Sequence, residues 1–239
     1  MKKFSLSAFL LVGLVALPFS DLLAYTGGDV KDGGTISGTV KFAGTAPAPK
    51  KLDVSKDKEV CGKSAKSDQS LVVSGGNLVN AVVTITDIKT GKKIDTSKKV
   101  KLTQKDCEYH PHVLAFPAGS TLEIENPDGI LHNIHSYSKV NTPFNMAQPK
   151  FKKTMEVKIE KPEVISVKCD VHGWMSGWLV ATENPYVAVT DNSGGFKLTD
   201  VPAGTYNVEV WHETLGKTSQ KVTVPAKGDA KVNFEMGKK

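Results

Sequence analysis

Short stretches in which apolar and polar residues alternate recur along this chain, separated by Gly, Pro, Asn and Asp. In Gly34 to Gly44, Ile36, Val40 and Phe42 fall on one side of an extended segment, and in Gly204 to Val210 the residues Tyr206, Val208 and Val210 do the same. A period of two places alternate side chains on one face of a strand. The apolar run Leu78 to Thr86 reads as a further strand, and Gly177 to Thr182 as another. Lys89 to Lys93, Asn192 to Gly195 and Pro202-Ala203-Gly204 carry turn chemistry between such segments. Thr45 to Lys58, rich in Pro and Lys, reads as a surface loop, and Lys98 to Leu102 is a strand that could serve either neighbouring unit. The expected fold class is all-β.

The first residues follow a different pattern. Lys2 and Lys3 precede the apolar run Phe4 to Phe19, and Leu22-Leu23-Ala24 offers a cleavage end, so residues 1–24 read as a secretory signal peptide. The run is short for a membrane span and is interrupted by Pro18, so export to the periplasm or beyond is expected, without stable membrane insertion after cleavage. About 215 residues then remain, enough for two small domains.

Charge narrows the partners. The net charge is +6 and all 31 basic residues are Lys. Without Arg there is no planar fork for bidentate phosphate or guanine contacts, which argues against nucleic-acid binding. A basic surface suits an acidic protein partner.

The chemistry concentrates in Cys169-Asp170-Val171-His172-Gly173-Trp174-Met175, which offers a thiolate, an imidazole and a thioether within seven residues. Met is a poor ligand for Zn²⁺, Mg²⁺ or Ca²⁺ but a usual weak axial ligand in His₂Cys copper sites, so copper is the candidate metal. A fourth donor is available upstream in Asn126 to His135, at His132. His135 has an odd offset from His132 and should point to the opposite face of a strand. His110 and His112 flank Pro111 and offer a second metal site or a strand cap. A Cys₂His₂ zinc site from Cys107, His110, Cys169 and His172 would leave Cys61, His132 and Met175 without roles. Cys169 as a nucleophile with His172 as base has no oxyanion-donating or substrate-binding motif beside it, so the chain is read as not an enzyme.

His132-Asn133-x-His135, then about 35 residues, then Cys169-x-x-His172-x-x-Met175 resembles the cupredoxins, of the amicyanin and plastocyanin type. The resemblance covers roughly 98–183 and includes Phe116 to Asn126, similar to the turn and strand leading into the first ligand. It implies a Greek-key β-sandwich with one type 1 copper ion held by His132, Cys169, His172 and, axially, Met175. Asn133 would tie the two ligand loops together. It further implies a one-electron carrier whose partner is a redox protein such as a c-type cytochrome or a dehydrogenase, with the His172 edge reaching the surface through an apolar collar. Copper delivery or storage is the alternative. With Cys169 on the metal, Cys61 and Cys107 are free to form a disulfide in an oxidising compartment, worth roughly 4 kcal/mol in the chain-entropy model.

Beyond the copper loop, Thr190 to Leu198 and Val201 to Val210 resemble the carboxypeptidase regulatory, transthyretin-like β-sandwich. Its usual opening strands have counterparts far upstream, at Ser37-Gly38-Thr39-Val40 and Asn80-Ala81-Val82. Residues 34–97 and 184–236 are therefore expected to form one discontinuous sandwich, with the copper domain between its halves.

Overall fold

The structure is a computed structural model that describes residues 24–238; the leader expected over 1–24 lies outside them, its last residue apart. The described chain is almost entirely β, with one short helix at Lys58–Cys61. No helix among the described residues is long and apolar enough to cross a membrane.

Two sheets enclose one core. A four-stranded sheet runs Glu108–His110, Val100–Lys105, Thr121–Glu125, Thr154–Lys158, and a five-stranded sheet runs Val113–Pro117, Ser176–Thr182, Glu163–Lys168, His132–Ser136, Asn145–Gln148. Leu102, Leu122 and Ile124 from the first meet Phe116, Ile134, Ile165 and Leu179 from the second, each at most 1% exposed.

A second pair of sheets encloses another core. Val187–Val189, Val82–Ile85, Gly204–His212 and Gly216–Val224 form one. The other is centred on Gly34–Phe42, which pairs along one edge with Gly195–Val201 and Asn77–Leu78 and along the other with Asp229–Lys231 and Phe234–Met236. N-terminal and C-terminal segments are thus hydrogen-bonded within the same sheets. Strand alternation brings Ile36 and Val40 inward; between them Gly38 passes so close to the chain that a Cβ there would collide with the carbonyl oxygen of Val232.

The two units share a third, smaller core. Along Ser176–Thr182, Leu179 and Ala181 face the first core while Trp178 and Val180 face outward against Val82, Val113, Val187 and Trp211. A strand covered on both faces needs a near-continuous apolar run, which is what Gly177 to Ala181 supplies.

Two expectations are corrected here. Leu78 to Thr86 is not one strand: Asn80 has φ 61°, in the left-handed region that Asn tolerates, and the chain crosses there from the Asn77–Leu78 strand to Val82–Ile85 in the opposite sheet. Residues 51–67, expected with the discontinuous sandwich, instead lie on the other unit. Lys51–Leu52 and Lys66–Ser67 form a small hairpin, and Val54, Val60 and Cys61 pack into the core that holds Cys169 and Met175. The reason is covalent as well as hydrophobic, since Cys61 is disulfide-bonded to Cys107 across a sequence separation of 46.

Candidate metal centre

His132 opens the strand His132–Ser136, on the same face as Ile134, so the period of two points its imidazole into the core. Cys169 follows Ile165 and Val167 by the same alternation, just past the end of Glu163–Lys168. The chain then turns sharply. Met175 donates its N–H to His172 O at 2.9 Å, and Cys169 donates to Met175 O at 3.1 Å, closing the seven-residue loop on itself. Asn133 fastens this loop to the His132 strand, its Oδ1 accepting the N–H groups of Asp170 at 2.6 Å and Val171 at 3.3 Å.

The result is a buried meeting of donors. Nδ1 of His132 lies 3.0 Å from Nδ1 of His172, and Cys169 Sγ lies 3.8 Å from the latter. One donor atom from each of the three falls within 4.8 Å of the others, and the residues are 0–2% exposed. Met175 is buried as well, in the hydrophobic cluster that includes Cys169.

Each imidazole is held from behind by a carboxylate. His132 Nε2 is 2.9 Å from Asp128 Oδ2, and His172 Nε2 is 2.8 Å from Asp57 Oδ2. An ionised carboxylate only accepts, so both Nε2 atoms carry hydrogen and both Nδ1 atoms are turned toward the shared space. Asp128 also accepts the N–H groups of Asp106 and Cys107, and Trp174 donates its indole N–H to Cys107 O at 3.1 Å. The disulfide is therefore adjacent to the centre: Cys61, Cys107 and a ring nitrogen of His172 lie within 4.8 Å of one another.

The three groups shift one another's protonation. Burial opposes charge on His132, but Asp128 and the Cys169 thiolate outweigh it and raise its pKa. For Cys169, burial pushes the thiol up, while His132 and the loop N–H groups bring it below the ordinary value. Burial lowers the pKa of His172, with Asp57 opposing and the charge on His132 reinforcing. A metal ion would replace the proton that His132 shares with its neighbours, and two imidazole nitrogens and a thiolate converging in a buried space are a ligand set of intermediate to soft character, which fits copper.

The other sequence candidates lie elsewhere. His135 points away, to Asp170 at 3.1 Å, and stacks on Tyr137. His110 is exposed and bonds Lys105 O; His112 bonds Ser176 O and Glu213, whose other oxygen takes the Trp178 indole N–H at 2.7 Å. With Cys107 in a disulfide and His110 outside, the Cys₂His₂ arrangement does not exist. One geometric expectation is overturned: the His172 edge does not reach solvent. It is 0% exposed, because the strap at 51–67 lays Asp57 over it. Asp57 and Asp128 were not singled out by sequence reasoning. Asp128 could have been, as a carboxylate four residues before His132 in a turn; Asp57 is 115 residues from its partner and leaves no local signal.

Residues 178–237 match the carboxypeptidase regulatory-like domain. No curated protein sequence matches the chain. Among solved structures, it is similar to a Cu-containing nitrite reductase from Thermus scotoductus SA-01 at 18% identity and TM-score 0.34, over 48% of this chain and 25% of that one. The chain thus spans about a quarter of that enzyme's length. A purple cupredoxin from Nitrosopumilus maritimus aligns at 22% identity and TM-score 0.31 over 35% of this chain and all of that one. Amicyanin from Paracoccus versutus aligns at 17% identity and TM-score 0.32 over 42% of this chain and 97% of that one. At these scores the likeness decides nothing about chemistry, which has to be read from the donors.

Proposed function

We propose that this chain is an exported cupredoxin-type protein that binds one copper ion in a type 1 site and carries single electrons between redox proteins. The observation that carries the reading is the convergence of the His132 and His172 Nδ1 atoms, 3.0 Å apart, beside Cys169 Sγ, with both Nε2 positions already committed to carboxylates. Copper bound there would supply a one-electron couple. His132 and His172 would give the two nitrogen donors, Cys169 the strong thiolate bond and Met175 a weak axial contact.

The protein's own part is rigidity and dryness. The Asn133 clamp, the closed 169–175 loop and the disulfide fix the donors before metal arrives, so little would rearrange when charge changes. Burial of all three donors, each under 3% exposed, supports a carrier over a delivery protein, which needs an exchangeable site. The Lys-rich surface would steer an acidic partner such as a c-type cytochrome or dehydrogenase. A redox titration of copper-loaded protein tests this: a reversible one-electron transition with copper retained in both states is expected. Loss of copper on reduction would sink the carrier role.

A further inference from the structure

Asp57 sits in an unusual place for an acidic residue. It immediately precedes the short helix Lys58–Cys61, where an Asp side chain would ordinarily accept a hydrogen bond from the helix's own first N–H groups. It makes no such bond. Its backbone is left-handed, φ 47°, a conformation that costs roughly 1 kcal/mol or more for a residue with a Cβ. The carboxylate it turns away from the helix lies 2.8 Å from His172 Nε2.

The surroundings hold it there. Val60 and Cys61 donate their N–H groups to Asp57 O at 3.0 and 2.8 Å, so the helix is built directly on its backbone. Cys61 is buried and disulfide-bonded to Cys107, whose N–H bonds Asp128, the carboxylate behind the other imidazole. One covalent bridge thus joins the supports of both histidines. The Asp57 side chain is 30% exposed while His172 is 0% exposed, which places the carboxylate between the imidazole and water. A strained backbone and a forgone cap, kept in place by a disulfide, mark a residue whose geometry serves its partner.

We propose that Asp57 is a positioning residue for the centre: borne on a strap from a distant part of the chain, it holds the Nε2–H of His172, aims Nδ1 inward and shuts the imidazole off from solvent, so that metal is held more tightly. The effect on metal retention rests on the copper reading; the effect on the imidazole does not.

Two readouts on the full-length protein separate these. In metal-free wild type, nitrogen-15 NMR should show His172 in a single tautomer with a slowly exchanging Nε2–H. Asp57→Ala should give mixed tautomers and fast exchange, whereas Asp57→Asn, which keeps an acceptor without the charge, should preserve the tautomer. After Cu(II) loading, transfer to a competing chelator should be about 10- to 100-fold more favourable in Asp57→Ala, with Asp57→Asn between it and wild type. Wild-type tautomer and exchange in Asp57→Ala, with its disulfide intact by mass, would overturn the proposal, as would unchanged copper retention in both variants. If wild type binds no copper while the tautomer responds to Asp57, the copper reading fails and the positioning of His172 stands.

Discussion

Asp128 Oδ2 accepts the Nε2–H of His132 at 2.9 Å, and the same oxygen takes the Cys107 N–H at 2.8 Å. The support of one proposed ligand is thereby tied to the disulfide and not to a mobile side chain. Asp128→Ala should leave the His132 Nε2–H without its acceptor and lower copper affinity by about 10- to 100-fold, read by chelator competition. Wild-type affinity in that variant would remove Asp128 from the account.

Met175 and His132 should behave differently when changed. Met175→Leu would remove the proposed weak axial contact at a buried, apolar position, so the protein should keep copper and colour and shift to a higher potential. His132→Ala opens a cavity at a strong donor and should admit water or added imidazole, detected as a changed visible spectrum. Equal and total loss of copper from both variants would contradict an axial role for Met175.

Replacing both Cys61 and Cys107 by Ser should cost roughly 2–5 kcal/mol in urea unfolding, since the bridge spans a separation of 46 residues. Copper retention should fall as well, because the bridge anchors the segment that carries Asp57. A stability change without any change in retention would mean that the strap stays closed on its packing alone.

How much of this was written in the sequence depends on distance along the chain. The all-β class was legible because Ile36, Val40, Val208 and Val210 alternate with residues that face away. Cys169, His172 and Met175 stand out as candidate donors because they fall within one short loop and each donor type is chemically distinctive, whereas His132 lies far upstream and joins them through the resemblance to the cupredoxins. The break at Asn80 is masked by the run of Val and Ala around it, which reads as strand; the Asn, a residue that tolerates φ 61°, is its one local sign. The burial of His172 was hidden too, because it depends on a tertiary contact with an Asp in a Lys-rich segment that looks like an ordinary surface loop.

Glu163 should contribute to the loss of stability in acid. Burial tends to raise its pKa, but the Lys139 and Asn141 N–H groups, the Ser138 hydroxyl and the Asn141 amide outweigh that and bring it down to about 2. An unfolded Glu titrates near 4.3, so the folded state binds this proton more weakly. Its contribution to stability is present above about pH 4.3 and is lost as pH falls toward about 2. Glu163→Gln should flatten the dependence of the urea midpoint on pH across that window. An unchanged slope would show that the 138–141 turn does not depend on the carboxylate.

The central claim is that Cys169 is a copper thiolate in a His₂Cys site, and the visible spectrum of Cu(II)-loaded protein tests it most directly. An intense thiolate charge-transfer band should appear at one copper per chain and be abolished in Cys169→Ser, which should stay folded, with the Cys61–Cys107 bridge intact. Wild-type protein that remains colourless after loading under oxidising conditions, or a band that survives in Cys169→Ser, would contradict it.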